Sequence, residues 1–418
     1  MTWKSISHEI IAGLTTFFTM VYLLVLCPQL LSEGGVDFGA ALTATVLTTV
    51  SATLFLSLYA GYPIVAGPGL SVLTYLVFSV IGKKIATWQE ALGLVFWGGL
   101  IFLLLSLFRL RQKMIVHIPL VIKKAAPAGL GLFLIMVGLK QLGVVIVKQN
   151  GYALGLIGSV GQWIALAGIL IFCILQWRRS RFSFLLPIVF CWLLALFLGY
   201  AEWKGGFSLP PSLRPTWNQL DLSVLFRPVL WTPLLGVLLL VLVDSSTMLS
   251  VFSRLLGWST PQNLNRVVIP DGACSMLAGF LGTTSCLFYA ESSSGICAGG
   301  RSFIVSCTAA FCCLGALFCY PALSSIPLFA TAPALIGLGG ILMLNFREIE
   351  WKRPTEWITF LVTSLSMLIF FSIYWGFALG FISFVILKTA TGKWREIHPI
   401  VWILALIFAL HTIVGLLR

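Results

Sequence analysis

The stretch Leu281–Gly300, LGTTSCLFYAESSSGICAGG, is too apolar for a water-filled loop and too irregular for one continuous helix. Its first part, 283–290, is rich in β-prone residues and reads as extended chain. Ser292, Ser293 and Ser294 follow as good N-cap residues for a short helix. Glu291 stands at the joint. An ionised carboxylate at bilayer depth costs about 2.5–3.5 kcal/mol. A broken crossing gives that acid a reason to exist. The start of a half-helix offers free N–H groups and partial positive charge inside the membrane. A polar ligand can be held between those groups and the carboxylate. Burial would raise the proton affinity of the acid, so it could take up and release a proton.

The rest of the chain fixes the solvent. Of 418 residues, 59% are hydrophobic and 9% charged, against about 25% charged in a soluble domain. Apolar runs of about 18 residues recur from Glu9 onward, each long enough to cross a bilayer as a helix. The longest polar stretch, about 202–227, is too short for a soluble domain. The formal charge of +13 reads as cytoplasmic loop charge under the positive-inside rule, and not as a nucleic-acid surface. MTWKSISHEI, residues 1–10, lacks the short apolar core and small-residue site of a removable signal. The ten cysteines lie in apolar runs, as Cys307, Cys312 and Cys313 do, and read as packing residues. No metal site is expected. GLGG at 337–340 lies in an apolar span and reads as packing, so no nucleotide-binding loop is expected.

Fourteen crossings are predicted, at 10–31, 39–59, 64–82, 89–109, 125–147, 154–177, 183–201, 228–252, 266–281, 283–299, 301–320, 326–345, 357–373 and 375–391. A further apolar stretch, 398–417, lies at the interface or adds a crossing. With the N-terminus in the cytoplasm, 19 of the 26 basic residues fall inside, Arg111 and Arg418 among them, and seven outside. Two sets of seven crossings place the second set inverted. A faint echo supports this division: Ile118-Pro119 precedes Ala-Pro-Ala at 126–128, and Ile326-Pro327 precedes Ala-Pro-Ala at 332–334. A stronger one is the third crossing, whose Gly67-Pro68-Gly69 cannot continue a regular helix. Interrupted spans at matching positions of two halves point to a transporter binding site at the midplane. Ordinary kinked helices packed through small residues are the alternative.

Two acids are read as deep, Glu291 and Asp244. Asp244 lies in LLGVLLLVLVDSSTMLSVF and would form a second polar wall facing Glu291. The alternatives are a structural acid satisfied by Ser245 and Ser246, and, for Glu291, a partner for Arg254 or Arg301. Asp271 is read as a cap near the cytoplasmic start of its crossing. Gly69 and Ser71 are expected to open the half-helix of the third crossing. Tyr22, Thr19 and Trp231 are read as packing or interface residues. Glu348 and Glu350, beside Arg347 and Lys352, would be the best pair for a membrane-embedded enzyme, but read as a solvated loop.

At these residues the chain resembles the nucleobase/ascorbate transporter superfamily, the xanthine/uracil permeases, in its AzgA-like branch of adenine, guanine and hypoxanthine permeases. The matching blocks are EIIAGLTTFFTMVYLLVLCPQLL (9–31), YPIVAGPGLSV (62–72), FSLPPSLRPTWNQLDLS (207–223), LGTTSCLFYAESSSGICAGGRS (281–302), IPLFATAPALIGLGGILM (326–343) and GFISFVILKTATGKWREIHP (380–399). The resemblance implies an all-α polytopic fold of two inverted seven-segment repeats, with short extended strands in segments three and ten crossing at the substrate. Core parts would be 1–110 and 228–321, and gate parts 111–227 and 322–418. It implies uptake of a purine nucleobase across the cytoplasmic membrane with a proton or other cation, by an elevator movement, and often a homodimer. No other cofactor and no nucleic-acid partner is implied.

Carried over residue by residue, Glu291 matches the glutamate that hydrogen-bonds the base. Tyr289 and Ala290 match its neighbours, whose backbone faces the ligand, and Asp244 matches the acid of segment eight. Gly69, Ser71, Phe288 and Thr247 complete the expected substrate site, with Glu291 and Asp244 also expected to couple protons. The chain departs from the family pattern in four places. Asp244-Ser245-Ser246-Thr247 is one residue shorter than the usual Asp-Thr-x-Gly-Thr. Leu73 stands for an asparagine, Leu287 and Phe288 for two threonines, and Cys27 for the asparagine before Pro28. A same-architecture carrier of another nucleobase or of a small anion remains an alternative, though an anion site favours a base over Glu291.

Overall fold

The computed structural model describes residues 3–148, 151–156, 158–257 and 261–416; Arg418, counted above among the cytoplasmic charges, lies outside them. The first part of the chain forms α1 (Trp3–Met20), α2 (Leu23–Glu33), α3 (Phe38–Ala60), β1 (Ala66–Pro68), α4 (Leu70–Thr74, continued by π turns to Ile81), α5 (Trp88–Leu107) and α6 (Leu110–His117). Then come α7 (Leu120–Gln141), a hairpin of β2 (Val145–Lys148) and β3 (Gly151–Leu154), α8 (Val160–Trp177) and α9 (Leu185–Phe197). The later part holds α10 (Trp231–Leu256), α11 (Pro261–Leu281), β4 (Cys286–Phe288), α12 (Ser292–Cys297) and α13 (Phe303–Ala316). It closes with α14 (Tyr320–Ser324), α15 (Leu328–Met343), α16 (Pro354–Ile369), α17 (Ile373–Ala390) and α18 (Pro399–Leu416).

Among the described residues, nine helices are long and apolar enough to cross a membrane, and four shorter apolar helices accompany them. The helix ends follow local chemistry. Asp37 caps α3 by accepting from the Ala40 N–H at 2.9 Å, and Thr87 with Glu90 forms a capping box on α5. The apolar run over 357–391 breaks at Phe370–Ser372, with Phe371 in the left-handed region (φ 44°), so α16 and α17 are separate helices.

Small residues bring the helices close. A Cβ on Gly131 of α7 would lie 2.6 Å from the Gly339 carbonyl of α15, and one on Gly339 would lie 2.5 Å from the Gly131 carbonyl. Gly99 and Gly272 do the same work between α5 and α11. With lipid no less apolar than the side chains, such close van der Waals contact is what holds membrane helices together. The Ile-Pro/Ala-Pro-Ala echo falls on α7 and α15, which start after Pro119 and Pro327 and pack on one another through these glycines.

Candidate functional site

β1 and β4 pair antiparallel, with Ala66 opposite Phe288, Gly67 opposite Leu287 and Pro68 opposite Cys286. The Gly69 N–H donates to the Ser285 carbonyl and the Tyr289 N–H to the Val65 carbonyl, both at 3.0 Å. The pairing satisfies backbone that a broken helix would leave bare in an apolar medium. Thr53 of α3 donates to the Ala66 carbonyl at 3.0 Å, and the Cys286 N–H donates to Ser275 of α11 at 3.0 Å. The crossing is therefore clamped from two helices.

Glycine is required at the crossing. A Cβ on Gly67 would fall 2.5 Å from both Thr49 Oγ1 and the Tyr289 hydroxyl. That hydroxyl donates to the Pro68 carbonyl at 3.2 Å. Gly67→Ala is expected to destabilise the protein by about 1–3 kcal/mol through overpacking. A lowered unfolding midpoint in detergent, with reduced uptake, would be the result; unchanged values in both would show that the crossing relaxes freely.

The half-helix of the third crossing begins at Leu70 with Gly69 as N-cap, as expected. The second begins at Ser292, but the serines do not cap it. Glu291 occupies the N-cap position with helical angles and makes no capping bond with its side chain. The Ser294 hydroxyl donates to the Glu291 carbonyl at 2.7 Å and meets Thr19 Oγ1 at 2.9 Å. Ser292 Oγ accepts from the Val65 N–H at 3.0 Å. The hydroxyls of Ser294 and Ser292 thus tie the half-helix to α1 and to the chain before β1.

Beside the crossing lies a cavity of about 250 Å³. Gly69, Ser71, Asp244, Thr247, Phe288, Tyr289, Ala290 and Glu291, the eight residues singled out in the sequence, all line it. The Tyr22 hydroxyl donates to Glu291 Oε1 at 2.7 Å, and the Ser71 hydroxyl donates to Asp244 Oδ2. Each acid is thus held by a hydroxyl from another element. Among the described residues neither acid has an ion-pair partner. Arg301 instead donates its guanidinium to the Leu255 carbonyl, so the structure does not pair it with Glu291. Thr247 donates to its own helix, at the Val243 carbonyl, 3.0 Å away. Leu23, Leu70, Leu130, Leu287, Leu338 and Leu342 supply apolar walls. Leu73 is buried away from this cavity. Among the described residues, no group of three or more His, Cys, Asp or Glu side chains is placed to hold a metal ion.

The structure corrects three further sequence readings. Tyr22 does more than pack: it lines the cavity, its hydroxyl donates to Glu291, and its ring stacks on Phe184 with centroids 4.7 Å apart. Asp271 is no cap. It lies well inside α11, is buried, and forms an ion pair with Arg111. Arg111 is correspondingly no loop charge. Its guanidinium is fully buried, donates to the Val268 carbonyl at 3.0 Å and to Ser245 Oγ at 2.9 Å, and lies over the Phe102 ring. A guanidinium can be buried when a carboxylate and further acceptors meet its donors; here both terminal nitrogens are met, while Nε has no hydrogen-bond partner among the described residues. Trp231 lies outside the cavity, half exposed. Glu348 and Glu350 are exposed and pair with Lys124 and Arg353.

Helix-rich spans around two short strands, crossed beside a cavity with two unpaired acids, define a polytopic membrane carrier. The solved structures agree on the fold. The transmembrane domain of the cyanobacterial bicarbonate transporter BicA superposes with a TM-score of 0.65 at 15% identity, covering 88% of this chain and 98% of that one. The murine anion transporter Slc26a9, in its inward-facing state, gives 0.67 at 14%, covering 94% and 69%. At such identities the likeness is one of fold. The sequence model of the Permease family (Xan_ur_permease) matches residues 7–394, and this chain belongs to that family. It is 32% identical to the adenine permease AdeQ of Escherichia coli, over 98% of this chain and 93% of that one. It is 34% identical to the guanine/hypoxanthine permease PbuO of Bacillus subtilis, over 98% of both.

Proposed function

We propose that this membrane permease is a secondary transporter that takes up a purine nucleobase together with a proton. The observation that carries the reading is the cavity at the strand crossing, which presents two carboxylates, Glu291 and Asp244, within largely apolar walls. An ionised carboxylate only accepts hydrogen bonds, so it suits the N–H edge of a base, while leucine and aromatic side chains cover the ring faces. The relatives named as adenine and guanine/hypoxanthine permeases support the same substrate class. Leu287 and Phe288, in place of hydroxyls, favour a base gripped through fewer polar contacts, with altered preference among the purines.

The proposal includes the fourteen-segment inverted repeat, with core parts 1–110 and 228–321 and gate parts 111–227 and 322–418. The core carries the base past the gate as an elevator, Glu291 and Asp244 exchange the coupling proton, the N-terminus is cytoplasmic, and the protein is a homodimer. The packing of α7 on α15 supports two matching gate elements. A second reading is an anion carrier, which the fold neighbours' own substrates suggest. Two carboxylates without ion-pair partners at the crossing oppose it, because they repel an anion.

The test is uptake of labelled hypoxanthine, guanine, adenine, xanthine and uracil by cells lacking their own permeases, across external pH and with a protonophore. Accumulation of a purine that rises as external pH falls, and collapses with the protonophore, is expected. Asp244→Asn is expected to lower uptake and flatten its pH dependence. No accumulation of any base by correctly inserted protein would overturn the substrate class; protonophore-insensitive uptake would overturn the coupling.

A further inference from the structure

We propose that a groove between α5, α6, α10 and α18 holds an acyl chain of an anionic phospholipid, with Lys113 receiving the headgroup. The groove encloses about 400 Å³ and lies apart from the substrate cavity. Leu235, Leu238, Leu239 and Leu242 of α10 line it, with Ile400, Ile403, Leu404 and Ile407 of α18 opposite. Both sets follow the i, i+3, i+4, i+7 spacing of one helix face. On α10 that face is opposite the one carrying Asp244, Thr247 and Met248, which look into the substrate cavity. The two sites therefore share a helix and no wall.

The chemistry of the lining selects the occupant. Lys113 is its one charged residue and every other lining side chain is apolar. An apolar cavity of this kind does not hold water, and in a bilayer the molecule at hand is a lipid tail. Ile403 is 57% exposed and Leu110 45%, so the groove is open along its side. Seven residues of α10 or α18 span about 10 Å at about 1.5 Å per residue, which fits within one leaflet of a hydrocarbon core about 30 Å thick.

The polar end is marked as well. Lys113 is exposed and, among the described residues, has no ion-pair partner. One turn further, His117 takes a 2.6 Å contact from its Nδ1 to the Lys113 carbonyl and stacks on His398 at 3.6 Å between ring centroids. His398 lies two residues before Ile400, so this end of the groove gathers the polar groups that a headgroup meets. A lysine near an anionic lipid surface favours the charged headgroup about five-fold over a neutral one.

The experiment uses the full-length protein in phosphatidylcholine vesicles with a trace of phospholipid bearing a diazirine in its acyl chain. One arm carries phosphatidylglycerol and the other phosphatidylcholine as the photoreactive lipid, and labelled peptides are mapped by mass spectrometry. Labelling should concentrate on 235–242 and 400–407, about five-fold stronger for phosphatidylglycerol. Lys113→Gln should equalise the two headgroups, and Ile403→Trp or Leu239→Trp should reduce groove labelling by both. Labelling spread evenly over other exposed faces, such as those of Trp163 and Phe311, would overturn the proposal. So would a headgroup ratio unchanged by Lys113→Gln. Labelling that vanishes when protein density rises would assign the groove to a second copy of the chain instead.

Discussion

Glu291→Gln is expected to cut purine accumulation by about 10- to 100-fold, the loss of one hydrogen bond to a charged group. Glutamine keeps the size of the side chain and can still accept from the Tyr22 hydroxyl that now lies 2.7 Å from Glu291. The variant therefore removes charge and leaves the local scaffold in place. Tyr22→Phe is the companion, deleting one donor while keeping the stack on Phe184; it should lower uptake only about five-fold. Initial rates at several external pH values separate the roles. A binding acid without proton exchange would lose rate equally at all pH values in the glutamine variant. A coupling acid would lose the pH dependence too. Wild-type uptake by Glu291→Gln would remove this residue from the site.

The second large effect concerns Arg111 and Asp271, a fully buried ion pair some distance along the chain from either acid of the cavity. Arg111→Met or Asp271→Leu alone is expected to destabilise the protein by about 3–5 kcal/mol, since each leaves an unmatched buried charge. The double variant should recover most of that loss, because two apolar side chains need no partners. Thermal unfolding in detergent of the wild type, both single variants and the double variant closes the cycle. Strict additivity would mean that the two charges do not depend on each other. Arg111 also donates to Ser245, the neighbour of Asp244. Uptake by the double variant should thus stay below wild type even where stability returns.

Much of the site was readable because chemistry at bilayer depth is sparse. An acid flanked by small residues, and a Gly-Pro-Gly where a helix should run, each conflict with a plain crossing, and the structure places both at one cavity. Tyr22 was harder. Aromatic residues fill membrane helices everywhere, so a hydroxyl aimed at an acid cannot be told from packing. The available signal was Pro28, which removes a helix donor downstream of the break between α1 and α2. Arg111 and Asp271 misled for a different reason. Counting loop charges treats each one singly, whereas their positions are decided by a mutual contact that spacing along the chain does not encode. The serines after Glu291 have the composition of caps, but their hydroxyls were claimed by tertiary partners in α1 and before β1.

The pairing of β1 with β4 also sets an order of events during synthesis. Ala66 meets Phe288 more than half the chain length later. Until then the backbone of β1 bonds to earlier helices, through Thr53 of α3 and Cys27 of α2, in a medium that offers no water to replace the missing strand. Closing so long a loop is slow, so the crossing and the cavity beside it form late, after β4 and the residues of α15 that line the cavity have been made. Variants that weaken the crossing should consequently show themselves first as poor yield of inserted protein, before any change in transport by the molecules that mature.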